Sequence, residues 1–252
     1  MAHPLPLTGE RTLPGVRGEE YWFARHEAAY RWTADRTAGR SDAVVMEAGS
    51  GEGYGAELLR AAGARLVVAL EVDVAAASHA AATYPEVATV RANLATVPVA
   101  ASSVDAVVCL QVVEHLWDLP GFLADAVRVL RPGGLAVVST PNRPVFSPGL
   151  PRGAKPTNPF HVEELDAEQL ADALSRAGLV DVHVHGLHHG PRIAAWELRH
   201  GTGLVAAQVA VVTGEGPVPD DLDAFVATIA TDDFVMAGAE GSQDLVATAV
   251  RP

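Results

Sequence analysis

The sequence predicts an α/β fold in which a doubly wound, mostly parallel sheet of seven strands carries helices on both faces. Three observations support this prediction. A short apolar strand runs into a glycine-rich turn and then into a helix between Val44 and Leu59. Further apolar runs alternate with segments of helical periodicity, which is the pattern of parallel strands joined by crossover helices. Polar residues follow several of these runs, where the carboxyl ends of parallel strands form a ligand crevice.

Composition indicates one globular domain spanning residues 1–252, with 49% hydrophobic and 19% charged residues. A formal charge of −13 argues against a broad nucleic-acid or anionic-membrane surface, because such binding depends on clustered Lys and Arg. The single cysteine, Cys109, lies in an apolar run and predicts a buried thiol without a disulfide. No apolar stretch has membrane-spanning length and no secretion signal is recognisable, so we expect a cytoplasmic protein.

Residues 1–18 are rich in Pro and Gly and predict an arm that is either a loose terminus or a segment folding over a bound ligand. Residues 19–38 have apolar side chains at helical spacing, and Gly39 is the predicted helix stop. Four large or polar side chains lie near the start of this helix: Tyr21, Trp22, Arg25 and His26. They either line a pocket or pack against one another.

The glycine-rich turn has the spacing E-x-G-x-G-x-G, formed by Glu47, Gly49, Gly51 and Gly53. Three positions without a Cβ allow a ligand to approach the backbone. A dinucleotide-binding turn would read G-x-G-x-x-G, whereas Tyr54 stands three residues after Gly51. A carboxylate inside the turn suits a cationic ligand better than a pyrophosphate, which favours S-adenosylmethionine over NAD or FAD. A strand-to-helix turn without a ligand is the alternative.

The next unit adds two strands and two further ligand candidates. Leu66–Leu70 is the second predicted strand, and Glu71 at its end is placed to accept the ribose hydroxyls of a nucleoside, a solvated loop acid being the alternative. An alanine-rich helix over Val74–Ala82 leads to a third strand, Ala88–Arg91. Asn93, just beyond it, is a candidate for hydrogen bonding to an adenine edge.

The fourth and fifth predicted strands end in polar residues that should face the same crevice. The fourth is Asp105–Leu110, and a helix over Leu119–Leu130 with a Pro-Gly-Gly turn leads to the fifth, Leu135–Ser139. A long loop with six prolines follows, and its length predicts a functional role. The polar or aromatic residues after these two strands are Gln111, Glu114, His115, Trp117, Asn142, Arg143 and, in the loop, His161.

The remaining chain predicts one more helix and two strands. Asp166 and Gln169 form a capping box for a helix that ends near Gly178. The run VDVHVHGL from Val180 alternates as a sixth strand, and Asp244–Val250 is the seventh. We therefore divide the single domain into four parts: an arm and helix (1–39), a cofactor-binding core (40–186), an insertion capping the substrate side (187–243) and the last strand (244–252).

Residues 40–186 resemble class I S-adenosylmethionine-dependent methyltransferases, which have a Rossmann-like fold. The resemblance rests on the glycine turn, the acid after the second strand, the adenine-edge position and the late seventh strand. Members usually have Asp where Asn93 stands. The resemblance implies S-adenosylmethionine as cofactor, with these binding residues: Glu47, Gly49, Gly51 and Gly53 at the methionine part, Glu71 at the ribose, Asn93 and Leu94 at the adenine, and Gln111 nearby.

A closer resemblance extends over almost the whole chain. The segments LTGERT, YWFARH, QVVEHLWD, VSTPNRPVFSPG, NPFH and HGPR are similar to actinobacterial sugar O-methyltransferases of methylmannose polysaccharide biosynthesis. This resemblance implies transfer of a methyl group to the anomeric hydroxyl of a short 3-O-methylated mannoside. Two alternatives remain open: an O-methyltransferase acting on a quinone-like or phenolic small molecule, and a non-catalytic S-adenosylmethionine-binding protein.

Methyl transfer to an alcohol requires a base or a Lewis acid, because the acceptor oxygen loses its proton as it attacks. His161 and His115, with Glu114, are the candidate catalytic residues. Gln111, Glu114, His115 and His161 also resemble the E-x-x-E-H…H metal site of some quinone and small-RNA O-methyltransferases. Gln111 replaces a carboxylate of that pattern, so Mg²⁺ assistance and direct base catalysis by a histidine are both retained.

Candidates for contact with the acceptor come from several parts of the chain. Trp117 and Trp196 either stack on a sugar ring or pack in the core. The LHHGPR segment offers groups for sugar hydroxyls or forms an ordinary polar loop. The full candidate set for substrate binding is Tyr21, Trp117, Asn142, Arg143, His188, His189 and Arg192. The expected partner is a small sugar or oligosaccharide, with no nucleic acid and no membrane.

Overall fold

The computed structural model describes residues 11–38 and 42–252. The predicted arm residues 1–10 and the predicted stop at Gly39 lie outside these ranges. The strands are β1 Val44–Ala48, β2 Leu66–Glu71, β3 Ala88–Arg91, β4 Val104–Leu110, β5 Leu130–Pro141, β6 Val180–His189, β7 Phe234–Gly238 and β8 Asp244–Val250. The helices are α1 Glu20–Ala38, α2 Tyr54–Ala61, α3 Val74–Thr83, α4 Leu119–Val129, α5 Arg143–Phe146, α6 Ala167–Arg176, α7 Pro191–His200, α8 Leu204–Thr213 and α9 Leu222–Val226.

The strands form one twisted layer in the order β3-β2-β1-β4-β5-β8-β6-β7. Strands β1 to β5 pair in parallel, whereas β8 runs antiparallel between β5 and β6, and β7 pairs antiparallel with β6 at the edge. The predicted α/β class is therefore confirmed. The predicted count of seven strands is wrong: the described residues form eight, and the sheet is mixed.

The additional strand, β7, lies in the segment 187–243 that was predicted to be an insertion. This short edge strand of mostly exposed or half-exposed residues lacks the alternation that identifies a half-buried strand. Strand β6 also continues to His189, so 187–189 belong to the sheet, and 190–233 contains α7 to α9. The role of these helices as a cap over the substrate stays a prediction.

Helices cover both faces of the sheet. On one face, buried side chains of α1, α2 and α7, such as Tyr30, Leu59 and Trp196, share a core with alternate residues of the strands. On the other face, Phe122 of α4 and Leu170 of α6 pack in a second core. Strands buried on both sides account for the unbroken apolar runs in the sequence.

Two local predictions have different outcomes. The Asp166–Gln169 capping box is present, with the Gln169 amide donating to Asp166 Oδ1 at 3.0 Å. The Pro132-Gly133-Gly134 turn is instead an irregularity inside β5, where the partner residues shift from Val104–Leu130 to Ala106–Leu135. The predicted start of β5 at Leu135 is therefore five residues late.

The carboxyl ends of β1, β4, β5 and β6 lie at one edge, together with the start of β8. Asp244 opposes Pro141 on one side and Leu187 on the other. This edge is where a doubly wound sheet binds its ligands. Within the described residues, no helix is both long and apolar enough to cross a membrane.

Candidate active site

The glycine turn after β1 holds three glycines at positive φ: 75° at Gly49, 56° at Gly51 and 97° at Gly53. A Cβ at Gly49 would lie 2.5 Å from Val112 Cγ2, and one at Gly53 would lie 2.8 Å from Ala80 Cβ. Neighbouring side chains therefore exclude larger residues at both positions. Among the residues that the structure describes, the atom nearest to a Cβ at Gly51 is Arg11 Cγ at 4.0 Å. Gly51 is the position where the backbone is open to a ligand.

A cleft with an empty volume of about 550 Å³ lies beside this turn. It is bounded by the turn, by one side of α1, by the end of β4 and by the start of β8. Its lining residues are Arg11, Thr12, His26, Ala29, Tyr30, Gly49, Ser50, Gly51, Glu52, Tyr54, Leu110, Gln111 and Asp244.

Glu47 is a fully buried carboxyl at the end of β1. Neither of its oxygens meets a hydrogen-bond donor at bonding geometry among the described residues. Burial raises the pKa of Glu47 to about 8, against a lowering effect of the nearby Tyr30 hydroxyl. A buried carboxyl without a strong partner is costly unless it is protonated or meets a cation. The raised pKa favours the protonated carboxyl at pH 7, and the contact of Glu47 with the methionine part of a ligand stays a prediction.

Glu71 holds the glycine turn against the loop after β2. Its Oε2 accepts the Gly51 amide and its Oε1 accepts the Asp73 amide, each at 2.8 Å. Each carboxylate oxygen keeps a second lone pair for a ligand hydroxyl. The role of Glu71 at a ribose stays a prediction.

The two adenine candidates do not line the cleft. Asn93 is exposed and its Oδ1 accepts the Ala95 amide at 2.9 Å, while Leu94 is buried. Gln111 does line the cleft, in the left-handed region at φ 56°, and its amide nitrogens bond to Ser139. Contacts of Asn93 and Leu94 with adenine stay a prediction.

The second feature of this edge is a cluster of Glu114, His115 and His161. One ligand atom from each lies within 4.8 Å of the other two. Glu114 and His115 stand on the 3₁₀ turn Val113–His115 after β4. The Glu114 carbonyl accepts the Val162 amide at 2.7 Å, which docks the long loop onto this turn. The three residues therefore lie close together after neighbouring strands, and their catalytic or metal-binding role stays a prediction.

Hydrogen bonds on both sides fix the His161 ring. His161 Nδ1 lies 2.7 Å from Glu164 Oε1, and His161 Nε2 lies 3.0 Å from Asn158 Nδ2. Asn158 Oδ1 already accepts the Phe160 amide, so its NH₂ group faces the histidine. His161 therefore donates from Nδ1 to Glu164 and presents a lone pair on Nε2. Sequence analysis missed Glu164 and Asn158, although a carboxylate three residues after a histidine was a usable signal.

The other two members have matching environments. His115 Nδ1 lies 3.2 Å from the Phe160 carbonyl, to which it can only donate, so Nε2 carries the lone pair. Glu114 is buried, and its Oε2 has no hydrogen-bond partner among the described residues. Burial raises the pKa of Glu114 to about 7, and the nearby His161 lowers it.

This donor set fits a divalent cation. Metal-binding histidines commonly donate their second ring N–H to a carboxylate or a carbonyl, as His161 and His115 do here. The corresponding carboxylate oxygen is the buried Glu114 Oε2, for which the described part of the chain provides no hydrogen-bond partner. Two imidazoles and one carboxylate suit Mn²⁺, Fe²⁺ or Zn²⁺ at least as well as Mg²⁺, which prefers oxygen ligands. Gln111, the predicted fourth ligand, donates from Nε2 to Ser139 Oγ at 3.2 Å, and its role at a cation stays a prediction.

We expect exhaustive dialysis against EDTA to lower the methyl-transfer rate about tenfold or more, with recovery on adding Mn²⁺ or Mg²⁺. The physical reason is that a cation at Glu114, His115 and His161 would polarise the acceptor oxygen. Initial rates before dialysis, after dialysis and after metal addition measure the effect. Full activity in metal-free buffer would eliminate the cation and leave His161 as a direct base.

A buried ion pair joins α1 to the same edge. Arg25 donates from Nε to Asp244 Oδ2 at 2.6 Å and from its second guanidinium nitrogen to Oδ1, and both residues are at least 98% buried. The Arg25 guanidinium also stacks 4.7 Å from the centre of the Phe146 ring. Breaking one partner of such a pair leaves an uncompensated buried charge. Arg25 therefore stabilises the position of Asp244, which contributes to the wall of the cleft.

Most predicted substrate contacts are engaged within the protein. The Tyr21 hydroxyl is buried and lies 2.8 Å from His189 Nε2, and His189 Nδ1 lies 3.1 Å from Glu197. Asn142 and Arg143 are buried and donate to backbone carbonyls of Ser242 and Leu150. His188 contacts the Gly238 carbonyl, and Arg192 pairs with Asp233. Their roles in substrate binding stay predictions.

The two tryptophans that could stack on a sugar have opposite environments. Trp196 is 1% exposed and packs against Phe225 with ring centres 5.2 Å apart, so it belongs to the core. Trp117 is 91% exposed, two residues after His115. Core packing is therefore excluded for Trp117.

Comparisons with known proteins agree with this geometry. A family model described as a methyltransferase domain matches residues 46–138, from β1 to β5. A probable S-adenosylmethionine-dependent methyltransferase of Mycolicibacterium smegmatis is 48% identical over 253 residues, covering 98% of this chain and 96% of the relative. A ubiquinone biosynthesis O-methyltransferase of Methylobacterium nodulans is 30% identical over 112 residues, covering 40% of this chain and 43% of that protein.

The fold is shared with solved structures at lower identity. A SAM-dependent methyltransferase of Thermotoga maritima superposes with a TM-score of 0.61 at 15% identity, covering 92% of this chain and 94% of the other. The match to the mycolicibacterial relative carries more weight, because at 48% identity it spans nearly the whole length of both chains. On these grounds the chain belongs to the S-adenosylmethionine-dependent methyltransferases.

Proposed function

We propose that this methyltransferase acts on a sugar hydroxyl, namely the anomeric hydroxyl of a short 3-O-methylated mannoside, in methylmannose polysaccharide biosynthesis. The cluster of Glu114, His115 and His161 carries the O-methylation part of the proposal, since an alcohol must lose its proton as it attacks. The sugar part is supported by the sequence resemblance to sugar O-methyltransferases. The proposal includes the cytoplasmic location expected from the sequence.

The chain's own residues have distinct roles in this reaction. S-adenosylmethionine, when bound, would supply a methyl group on its sulfonium sulfur. In-line attack of the acceptor oxygen on the methyl carbon would break the carbon–sulfur bond and leave S-adenosylhomocysteine. Gly51 is proposed to admit the donor to the backbone, and Glu47 to pair with the cationic part of the donor, whose charge would lower the raised pKa of this carboxyl. Glu71 is the proposed partner of the ribose.

At the acceptor side, His161 Nε2 is the atom that receives the hydroxyl proton when no cation is present. Glu164 accepts a hydrogen bond from Nδ1, so Nε2 carries the lone pair, and the acceptor hydroxyl would replace the Asn158 amide there. If a divalent cation binds, the same three residues, Glu114, His115 and His161, would hold it and it would lower the pKa of the acceptor hydroxyl.

A methyl-transfer assay with isotopically labelled S-adenosylmethionine tests the proposal. We expect label to enter 3-O-methylated manno-oligosaccharides that have a free anomeric hydroxyl. The matched control is the same oligosaccharide with that hydroxyl already methylated, which should accept no label. Transfer to the control at an equal rate would reject the anomeric position, and failure with every saccharide would reject the sugar.

A second acceptor class has one observation in its favour, the similarity of part of the chain to ubiquinone biosynthesis O-methyltransferases. A panel of catechols and quinol-like phenols therefore belongs in the same assay. Transfer to phenols alone would replace the sugar proposal with this one.

A further inference from the structure

Two exposed aromatic side chains flank the Glu114–His115–His161 cluster. Trp117 is 91% exposed and Phe160 is 59% exposed. Within residues 11–38 and 42–252, every other Trp, Tyr and Phe is buried or only partly exposed. The exposed aromatic surface is thus concentrated beside the candidate site, and such concentration marks a binding surface.

Backbone contacts tie both aromatics to the cluster. The Phe160 carbonyl lies 3.2 Å from His115 Nδ1, and Phe160 directly precedes His161. Trp117 follows His115 by two residues, so their Cα atoms are at most about 7.6 Å apart. The His115 and His161 rings are in contact, with centres 4.9 Å apart. The two exposed aromatic residues are therefore joined through the backbone to the same pair of histidines.

The surroundings of the aromatics indicate the kind of ligand. Asp118 directly follows Trp117, Glu163 lies three residues after Phe160, and both side chains are exposed. A hydrocarbon chain crossing these residues would remove water from the two carboxylates without replacing its hydrogen bonds. A pyranose presents C–H groups to an aromatic face and hydroxyls to its edges, so it satisfies both kinds of neighbour.

We propose that Trp117 and Phe160 form an acceptor subsite that stacks on sugar units beyond the one that receives the methyl group. This inference rests on the proposed function and deepens it, because it assigns the preference for acceptor length to two residues. The reacting sugar lies at the cluster, and the next units extend outward over Trp117 and Phe160.

Steady-state kinetics with mannosides of increasing length test the subsite. For Trp117→Ala and Phe160→Ala we expect KM for a 3-O-methylated mannotetraose to rise about tenfold, with kcat nearly unchanged. KM for the monosaccharide should stay as in the unmodified protein. Trp117→Phe keeps an aromatic face and should restore most of the affinity. Leu198→Ala removes an 86% exposed side chain of α7 and is the matched surface control.

A binding measurement keeps this inference separate from the proposed activity. Manno-oligosaccharides titrated with S-adenosylhomocysteine present should quench tryptophan fluorescence, and the quench should be absent in Trp117→Phe although binding remains. If the protein transfers no methyl group to any saccharide but this Trp117-dependent binding persists, the activity proposal fails and the subsite stands. Unchanged KM at every length in both alanine variants overturns the subsite. The subsite is also overturned if Trp117→Ala raises KM only for phenols that carry a prenyl chain and not for mannosides.

Discussion

His161→Ala lowers kcat for methyl transfer by about 10²–10⁴-fold and leaves the affinity for S-adenosylmethionine unchanged. The large effect is expected because His161 presents Nε2 to the acceptor side, with Nδ1 held by Glu164 at 2.7 Å. The loss occurs whether this atom removes a proton or holds a cation. Single-turnover rates and isothermal titration with the cofactor separate the two parameters.

Two variants control for general disruption. His183→Ala removes an exposed histidine of β6 and should keep full activity. Glu164→Gln keeps the shape of the side chain and weakens the hold on His161, so it should give an intermediate kcat. Turnover retained in His161→Ala would transfer the role to His115, the other imidazole of the cluster.

Gly51→Val raises the dissociation constant for S-adenosylmethionine at least about tenfold, which corresponds to about 1.4 kcal/mol. The added side chain enters space that the described residues leave open beside the turn, where the nearest of their atoms to a Cβ is 4.0 Å away. It therefore collides with the ligand and not with these residues. Calorimetric titration measures the affinity, and thermal unfolding monitors stability.

Gly201→Val is the matched control for backbone strain. Gly201 caps α7 at φ 63° and, like Gly51, has open space around its Cβ position. Both variants place a β-branched residue in the left-handed region, so both should lose stability to a similar degree. Normal cofactor affinity in Gly51→Val would show that the turn does not hold the donor, whereas equal affinity loss in Gly201→Val would attribute the effect to stability alone.

The parts of this molecule that sequence predicts well depend on neighbouring residues. The glycine turn, the capping box at Asp166 and the strand Asp244–Val250 are set by local backbone chemistry and apolar periodicity. The cluster was predictable for a related reason, because the carboxyl ends of adjacent parallel strands must meet. The identities of Glu114, His115 and His161 then supplied the chemistry.

The parts that sequence missed depend on residues far apart in the chain. Arg25 and Asp244 are separated by 219 positions, and no local pattern links a helix residue to the first residue of a distant strand. β7 escaped prediction because an edge strand with few buried residues has little alternation. The exposure of Trp117 was also not predictable, since a tryptophan is ordinarily buried for most of its surface.

The position of β8 in the sheet determines how much of the fold can form while the chain is still being synthesised. β8 follows every other strand in sequence, yet it lies inside the sheet between β5 and β6 and brings Asp244 to the cleft. During synthesis, β5 and β6 therefore lack their shared neighbour, and Arg25 its buried counter-ion, until residues 244–250 emerge from the ribosome. Non-local pairings of this kind form slowly. A chain stalled before β8 would expose the edges of both strands, which makes it a substrate for chaperones before it is an enzyme.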